Sequence, residues 1–348
     1  MSFCKNNQRQ NSRGCRKENG SPGEKKETPF GCTWMLKYLR KKEERREPLI
    51  MKKIRLSKQL KIDLTGYAFI LPNIIGVCLF TLFPMIFSLI ISFTDWDYTK
   101  GIGNWNFIGL INFVEMWQDE WFTSSLINTI IFAVGVVPVT VFLALVLAVI
   151  IDKYCVARLP MRLALFMPYI SNIVAVAIVW VMMYSPWGPF TQLVKFFGVE
   201  NPPQWLGDTT WALPALMLMT VWSGVGYANM IYTSALQGLP QDVYEAADID
   251  GANEVQKFFR LTIPFLSPTT FFLIITTFIT SFQVFAPIQI MTRGGPGTAT
   301  NVLVYYIYTS AFTFYKMGYA SAMSWILFLI LFGITMFQWA GQKKWVSY

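Results

Sequence analysis

The chain has 348 residues, of which 54% are hydrophobic, 16% aromatic and only 14% charged, with a formal net charge of +9. Soluble domains carry about 25% charged residues, so this composition excludes an ordinary water-soluble domain and points to a membrane. The positive excess lies mainly in residues 1–62, which hold 18 Lys and Arg against 6 Asp and Glu; no DNA- or RNA-binding motif accompanies it, so it reads as the flank of a membrane span.

Residues 1–60 form a basic, polar segment with few large apolar side chains, and disorder is expected there. Met51, followed by Lys52, Lys53 and Arg55, would make an ordinary start for a membrane protein, which makes the preceding extension a candidate translation-start artefact. The apolar run that follows is too long for a cleaved signal peptide.

From residue 61 onward, six uncharged runs stand out: 64–94, 121–151, 163–194, 209–241, 261–292 and 317–342. Charges are expensive in hydrocarbon, and a spanning helix needs about 20 apolar residues. The expectation is an all-α integral membrane domain over 61–348, with six transmembrane helices near 66–93, 123–151, 163–184, 209–232, 267–291 and 319–341. A seventh run, 294–315, opens with Gly294, Gly295, Pro296 and Gly297, which break a helix; what remains suits an interfacial helix.

Positive residues near spans stay cytoplasmic. With six spans, 25 Lys and Arg fall on one side and only Lys100, Lys195, Arg293 and Lys316 on the other, so both termini are expected in the cytoplasm. Trp96, Trp105, Trp117, Trp121, Trp187 and Trp205 fall in the outward loops and read as headgroup-level anchors, with carbohydrate stacking as the alternative. Of the five cysteines, Cys4, Cys15, Cys32, Cys78 and Cys155, none is expected outside, so no disulfide framework is predicted. The chain has no histidine and no CxxC, so a zinc or haem site is not expected.

The loop between spans four and five carries the most specific signal. Pro240 can open a helix, acidic residues populate its first turns, and Gly251 can close it. Val255, Phe258 and Phe259 then share a face of a second short helix. On periodicity alone this could be a plain chain reversal. Glu245, Ala246, Ala247, then three residues, Gly251, nine residues, and Leu261, Thr262, Ile263, Pro264 resemble the EAA loop of ABC importer permeases, with conservative departures at Leu261 and Ile263. QGLPQDVYEAADIDGA at 237–252, TRGGPG at 292–297 and FYKMGYASA at 314–322 resemble the sugar permeases of the maltose-transporter type.

That resemblance covers residues 60–348 and implies the type I ABC importer permease fold. It also implies a second homologous permease, an ABC ATPase dimer, an extracytoplasmic sugar-binding protein and a cytoplasmic-membrane location. In that family the EAA loop couples to the ATPase, which would give Glu245 a basic partner there, let Ala246 and Ala247 approach closely and make Gly251 the bend. The chain has no GxxxxGK phosphate loop, so ATP would be used by the partner, and no cofactor is expected here. The six runs hold no ionisable Asp, Glu, Lys or Arg, which weakens ion coupling, although carbonyl oxygens could still bind sodium.

Thr277, Thr280 and Ser281 fall on one face of span five, and Gly224 and Tyr227 on one face of span four. In the maltose-type relatives sugar contacts come from these two helices, and the resemblance carries them to these five residues. Gln283, between Phe282 and Phe285, is a further candidate, and Asn172 a weaker one. The alternative is that Ser and Thr bond their own helix backbone. A glycerol phosphate ester is a competing substrate, disfavoured because no Lys or Arg lies in the path. A membrane enzyme would have to use Asp95, Asp97, Glu115, Asp119 or Glu120, with no histidine to help.

Overall fold

The structure is a computed structural model that describes residues 65–345, apart from residue 102. The basic segment 1–60 lies outside the described residues. The chain divides at Cys78, and the helices from Leu79 onward form one compact unit. The described residues are helical, with only two isolated bridges, Thr94 to Phe107 and Asp97 to Lys316.

α1 (Thr65–Ile91) is 27 residues long and apolar enough to cross a membrane. It contains a π-helical turn at Cys78–Leu82, immediately ahead of Pro84. A proline lacks the N–H and crowds the carbonyl four residues back, and one wider turn relieves both. The same device recurs at Phe258–Thr262, ahead of Pro264.

α2 (Ile111–Gln118) leads into α3 (Glu120–Tyr154), whose N-cap is Asp119; that carboxylate accepts from the backbone N–H of Trp121 at 2.9 Å. Glu120 in the first turn and Lys153 in the last both suit the helix dipole. At 35 residues, α3 is about 52 Å long, well beyond the roughly 30 Å hydrocarbon core.

The single third span expected near 163–184 is instead two helices, α4 (Arg158–Ile170) and α5 (Ile173–Met183), bent by 96°. Pro168 weakens the end of α4, and Asn172 starts a new helix by accepting from Val174 N–H at 2.9 Å. α6 (Pro189–Phe196) follows, then α7 (Ala212–Gln237). Among the described residues, four helices are long and apolar enough to cross a membrane, and the bent pair would make a fifth span. α7 has the length, 26 residues, but is not among those four. It is less apolar than those four because it carries residues such as Ser223, Asn229 and Thr233, which are among the 13 that face protein, where a lipid-compatible side chain is not needed.

α8 (Gln241–Ile249) and α9 (Glu254–Lys257) form the loop between α7 and α10. α10 (Ser267–Phe282) and α11 (Ala286–Met291) fill the fifth region with a break at 283–285. α12 (Leu303–Phe312), expected at an interface, buries Leu303, Tyr306, Ser310 and Ala311 against α3 and the final helix α13 (Met317–Trp345).

The main core joins α3, α5, α7, α10 and α11 around Phe132, Trp180, Met219, Tyr232, Leu273 and Ile288. A smaller one gathers Met116, Phe122, Leu303 and Met323. α4 lies against α7 so closely that a Cβ at Gly226 would sit 1.9 Å from the Leu165 carbonyl oxygen. Small residues are what permit such backbone approach in membrane bundles.

Candidate functional site

Gly224, Tyr227, Thr277, Thr280 and Ser281 line one cavity of about 300 Å³. α7 supplies Thr220, Ser223, Gly224 and Tyr227, α10 supplies Thr276, Thr277, Thr280 and Ser281, α3 supplies Val136 and Thr140, and the bend between α4 and α5 supplies Pro168, Tyr169, Ser171 and Ile173. Gln283 is exposed at the break after α10 and is not among the lining residues. Asn172 is exposed and serves as the cap of α5.

Ten of the fifteen lining residues carry a hydroxyl and none is charged, so the cavity offers hydrogen bonds without a net field. Thr280 donates to the carbonyls of Thr276 and Thr277 at 3.1 and 3.0 Å, Thr220 to Leu216 at 2.9 Å, and Ser223 to Met219 at 3.2 Å. Their protons are committed to the helix backbone, but each oxygen keeps lone pairs that can accept from a ligand hydroxyl. A Cβ at Gly224 would meet Thr140 Cγ2 at 3.5 Å, an ordinary contact, so the glycine leaves space in the cavity rather than being required by packing. The sequence signal for Tyr169 and Ser171 was the cluster Pro168 to Asn172 inside an apolar run, whose meaning as a bend depends on tertiary packing.

A second cavity of about 510 Å³ opens beside the loop and is lined by Lys153, Arg158, Tyr244, Glu245, Asp248 and Thr262, among others. α8 starts directly after Pro240 and ends in a turn where Gly251 has φ of 77°, a conformation that disfavours any side chain. Asn253 and Gln256 then form a reciprocal capping box at 2.8 and 2.9 Å. Glu245 and Ala246 are exposed and Ala247 is half-buried; Leu261, Ile263 and Pro264 are half-buried where the chain re-enters the bundle. The Tyr244 and Thr262 hydroxyls hydrogen-bond at 2.9 Å, tying α8 to that segment. Ile249, one helical turn after Glu245 on α8, is 88% exposed, and Val255 and Phe259 beyond the Gly251 turn are 64% and 63% exposed.

Sequence reasoning missed the charges that brace this loop. Lys257, whose side chain is 9% exposed, reaches Asp248 of α8 at 2.6 Å and Glu254 at 2.5 Å. Lys153 at the end of α3 pairs with the same Glu254. Hydrogen bonds from Lys153 and Lys257 hold the Glu254 carboxyl down to about 2, and those of Asp248 and Glu254 raise the Lys257 ammonium.

At the opposite end of α3, a cavity of about 910 Å³ is lined by Asp95, Asp97, Glu115 and Asp119 together with aromatic rings. Asp119 accepts from the hydroxyls of Tyr306 and Tyr319 at 2.5 and 2.7 Å. Burial pushes its carboxyl up, but these donors and the backbone N–H groups of Trp121 and Phe122 outweigh it, leaving the value below the ordinary range. Trp205, expected as an anchor, donates to Thr191 at 3.1 Å and packs on Tyr184, while Trp187 is 87% exposed.

Residues 120–342 match the family model described as "Binding-protein-dependent transport system inner membrane component". The chain is 37% identical over 292 residues to the probable ABC transporter permease protein YesP of Bacillus subtilis (strain 168), covering 83% of this chain and 93% of that protein. It is 32% identical over 287 residues to the lactose transport system permease protein LacF of Rhizobium radiobacter, covering 81% and 95%. Its fold matches a crystal structure of a bacterial ABC transporter involved in the import of the acidic polysaccharide alginate, with a TM-score of 0.74 and 24% identity, over 84% of this chain and 100% of that one.

Proposed function

The chain belongs to the family of binding-protein-dependent transport system inner membrane components, which are ABC transporter permeases, and on that premise we propose that it is the permease subunit of an ATP-driven importer for an uncharged di- or oligosaccharide. It crosses the cytoplasmic membrane six times in this reading, with α4–α5 and α7 supplying the third and fourth spans and both termini in the cytoplasm, as the 25-to-4 split of Lys and Arg favours. Its partners are a second permease, an ABC ATPase dimer and an extracytoplasmic sugar-binding protein.

The observation that carries the reading is the uncharged, hydroxyl-rich cavity where α7, α10 and the α4–α5 bend meet. A neutral sugar presents many hydroxyls and apolar ring faces, and such a site matches it without charge. A glycerol phosphate ester is the second substrate class. Its phosphate would call for a cation in the path, and the lining has none. Substrate would move unchanged, the cavity opening alternately to either side as ATP and the binding protein bias two states. Exposed Glu245 and Ala246 on α8 present the surface that the ATPase grips.

The test is affinity purification from native membrane, with partners identified by mass spectrometry, for the natural chain and for Glu245→Arg. An ABC ATPase and a second permease copurifying with the natural chain, with the ATPase lost from the variant, is the expected result. No ATPase under conditions that preserve comparable complexes would overturn the reading in favour of an ion-coupled carrier or a membrane enzyme.

A further inference from the structure

Lys257 is an anomaly in its setting. It lies on a four-residue helix in a surface loop, yet its side chain is 9% exposed and its ammonium is shared by two carboxylates on different elements. Withdrawing a cation from water is costly unless partners replace the lost hydration, so a buried ammonium in a loop needs a reason beyond solubility. A network of charge pairs also restricts geometry, because few arrangements bring all its members within reach of one another. Here the members are Asp248, on α8 three residues beyond Glu245, then Lys257, then Glu254, and finally Lys153 in the last turn of α3.

The chain of contacts has a direction. α8 displays Glu245 and Ala246 outward. Behind it, Lys257 joins Asp248 of α8 to Glu254 of α9 across the Gly251 turn. Glu254 then passes the connection to Lys153. From there α3 runs past the hydroxyl-lined cavity, where it contributes Val136 and Thr140, to Asp119 and its two tyrosine donors at the other end.

We propose that Lys257 is a positioning residue of the transport cycle: through Asp248, Glu254 and Lys153 it makes the loop and the inner end of α3 one body, so that displacement of α8 is delivered to the helix flanking the cavity. Without this linkage α8 would still meet an ATPase and keep its Tyr244 tie to Thr262, but the charge-paired route from α8 to Lys153 at the end of α3 would be broken. The inference rests on the importer reading and adds the route by which coupling reaches the cavity.

The test uses the complete complex in liposomes, with ATPase, second permease and binding protein, comparing Lys257→Met, Lys257→Arg and Lys153→Met. Expected for Lys257→Met is a normal amount of copurifying ATPase with sugar moved per ATP reduced about tenfold, the scale of a coupling free energy between two sites. Lys257→Arg should retain most of the ratio. A Lys257→Met complex that assembles and transports at the natural ratio overturns the proposal. Should that variant fail to assemble, Lys153→Met decides, because Lys153 is one-third exposed and outside the loop: a reduced ratio supports the proposal and an unchanged one overturns it. Absence of any ATPase from the natural chain would instead overturn the importer reading itself.

Discussion

The ring of Tyr169 lies on the ring of Tyr227, with centroids 4.8 Å apart and planes 20° from parallel. One residue belongs to the end of α4, beside the 96° bend, and the other to the middle of α7. The stack therefore ties the most irregular wall of the cavity to its most enclosed helix, and both rings border the space where a ligand would sit.

Tyr227→Ala should reduce sugar transport strongly while leaving ATPase copurification intact, and Tyr169→Ala should do the same. The stack contributes about 0.5–1.5 kcal/mol beyond area burial, and truncation also removes the ring's own packing, a loss that is smaller at Tyr169, which is 49% exposed, than at a fully buried aromatic. A transport assay paired with thermal unfolding of the purified complex checks this; equal losses of transport and stability would refer the effect to folding.

Two glycines of α7, separated only by Val225, should behave oppositely. Gly226→Ala would place a Cβ 1.9 Å from the Leu165 carbonyl oxygen, a backbone atom that cannot swing aside, so α4 and α7 must separate and folded protein should be lost. Gly224→Ala meets only Thr140 Cγ2, at 3.5 Å. It should fold normally and alter transport alone, by narrowing the cavity. Membrane yield and uptake by each variant separate the two outcomes.

Asp119→Asn keeps the shape of the cap but removes the charge that two tyrosine hydroxyls share. Hydrogen bonds to a charged group contribute about 1.5–3 kcal/mol each, less whatever the amide retains, so a loss of about 2 kcal/mol is expected. Thermal unfolding should show it, with Tyr306→Phe giving a smaller loss of the same sign.

The pairs that brace the loop should resist pH but not salt. Glu254 is depressed from 4.5 to about 2, so its contribution is complete above 4.5 and fades as pH falls toward 2; Lys257 is raised above 10.5, so its contribution is complete below 10.5 and fades above it. Between those limits a spin-label distance from α8 to the end of α3 should stay constant. High salt should broaden it, because Lys153 and Glu254 are 34% and 55% exposed and screening reaches them.

Charge placement in the sequence determined where the helices lie, because an unpaired charge in hydrocarbon is so costly that an uncharged apolar run of 26 to 33 residues marks a segment built for lipid or for a membrane bundle. Pro240 and Gly251 likewise marked a helix start and stop as local backbone requirements, whereas the spacing from Glu245 to Pro264 marked the loop through its resemblance to the EAA loop. The faces shared by Gly224 and Tyr227, and by Thr277, Thr280 and Ser281, follow from helical periodicity alone. Tertiary structure decided the rest. The 96° bend at Ser171 and Asn172 turned an apparent span into two helices, and enclosure of α7 excused its polar residues. Gln283 was left outside the cavity because the chain breaks after Phe282. Lys257 meets Asp248 across a glycine turn, and Asp119 meets tyrosines 187 and 200 residues away. Periodicity sees only neighbours within a helix turn or two; which distant charges and rings meet is set by how the helices cross, and that is fixed only when all of them are packed.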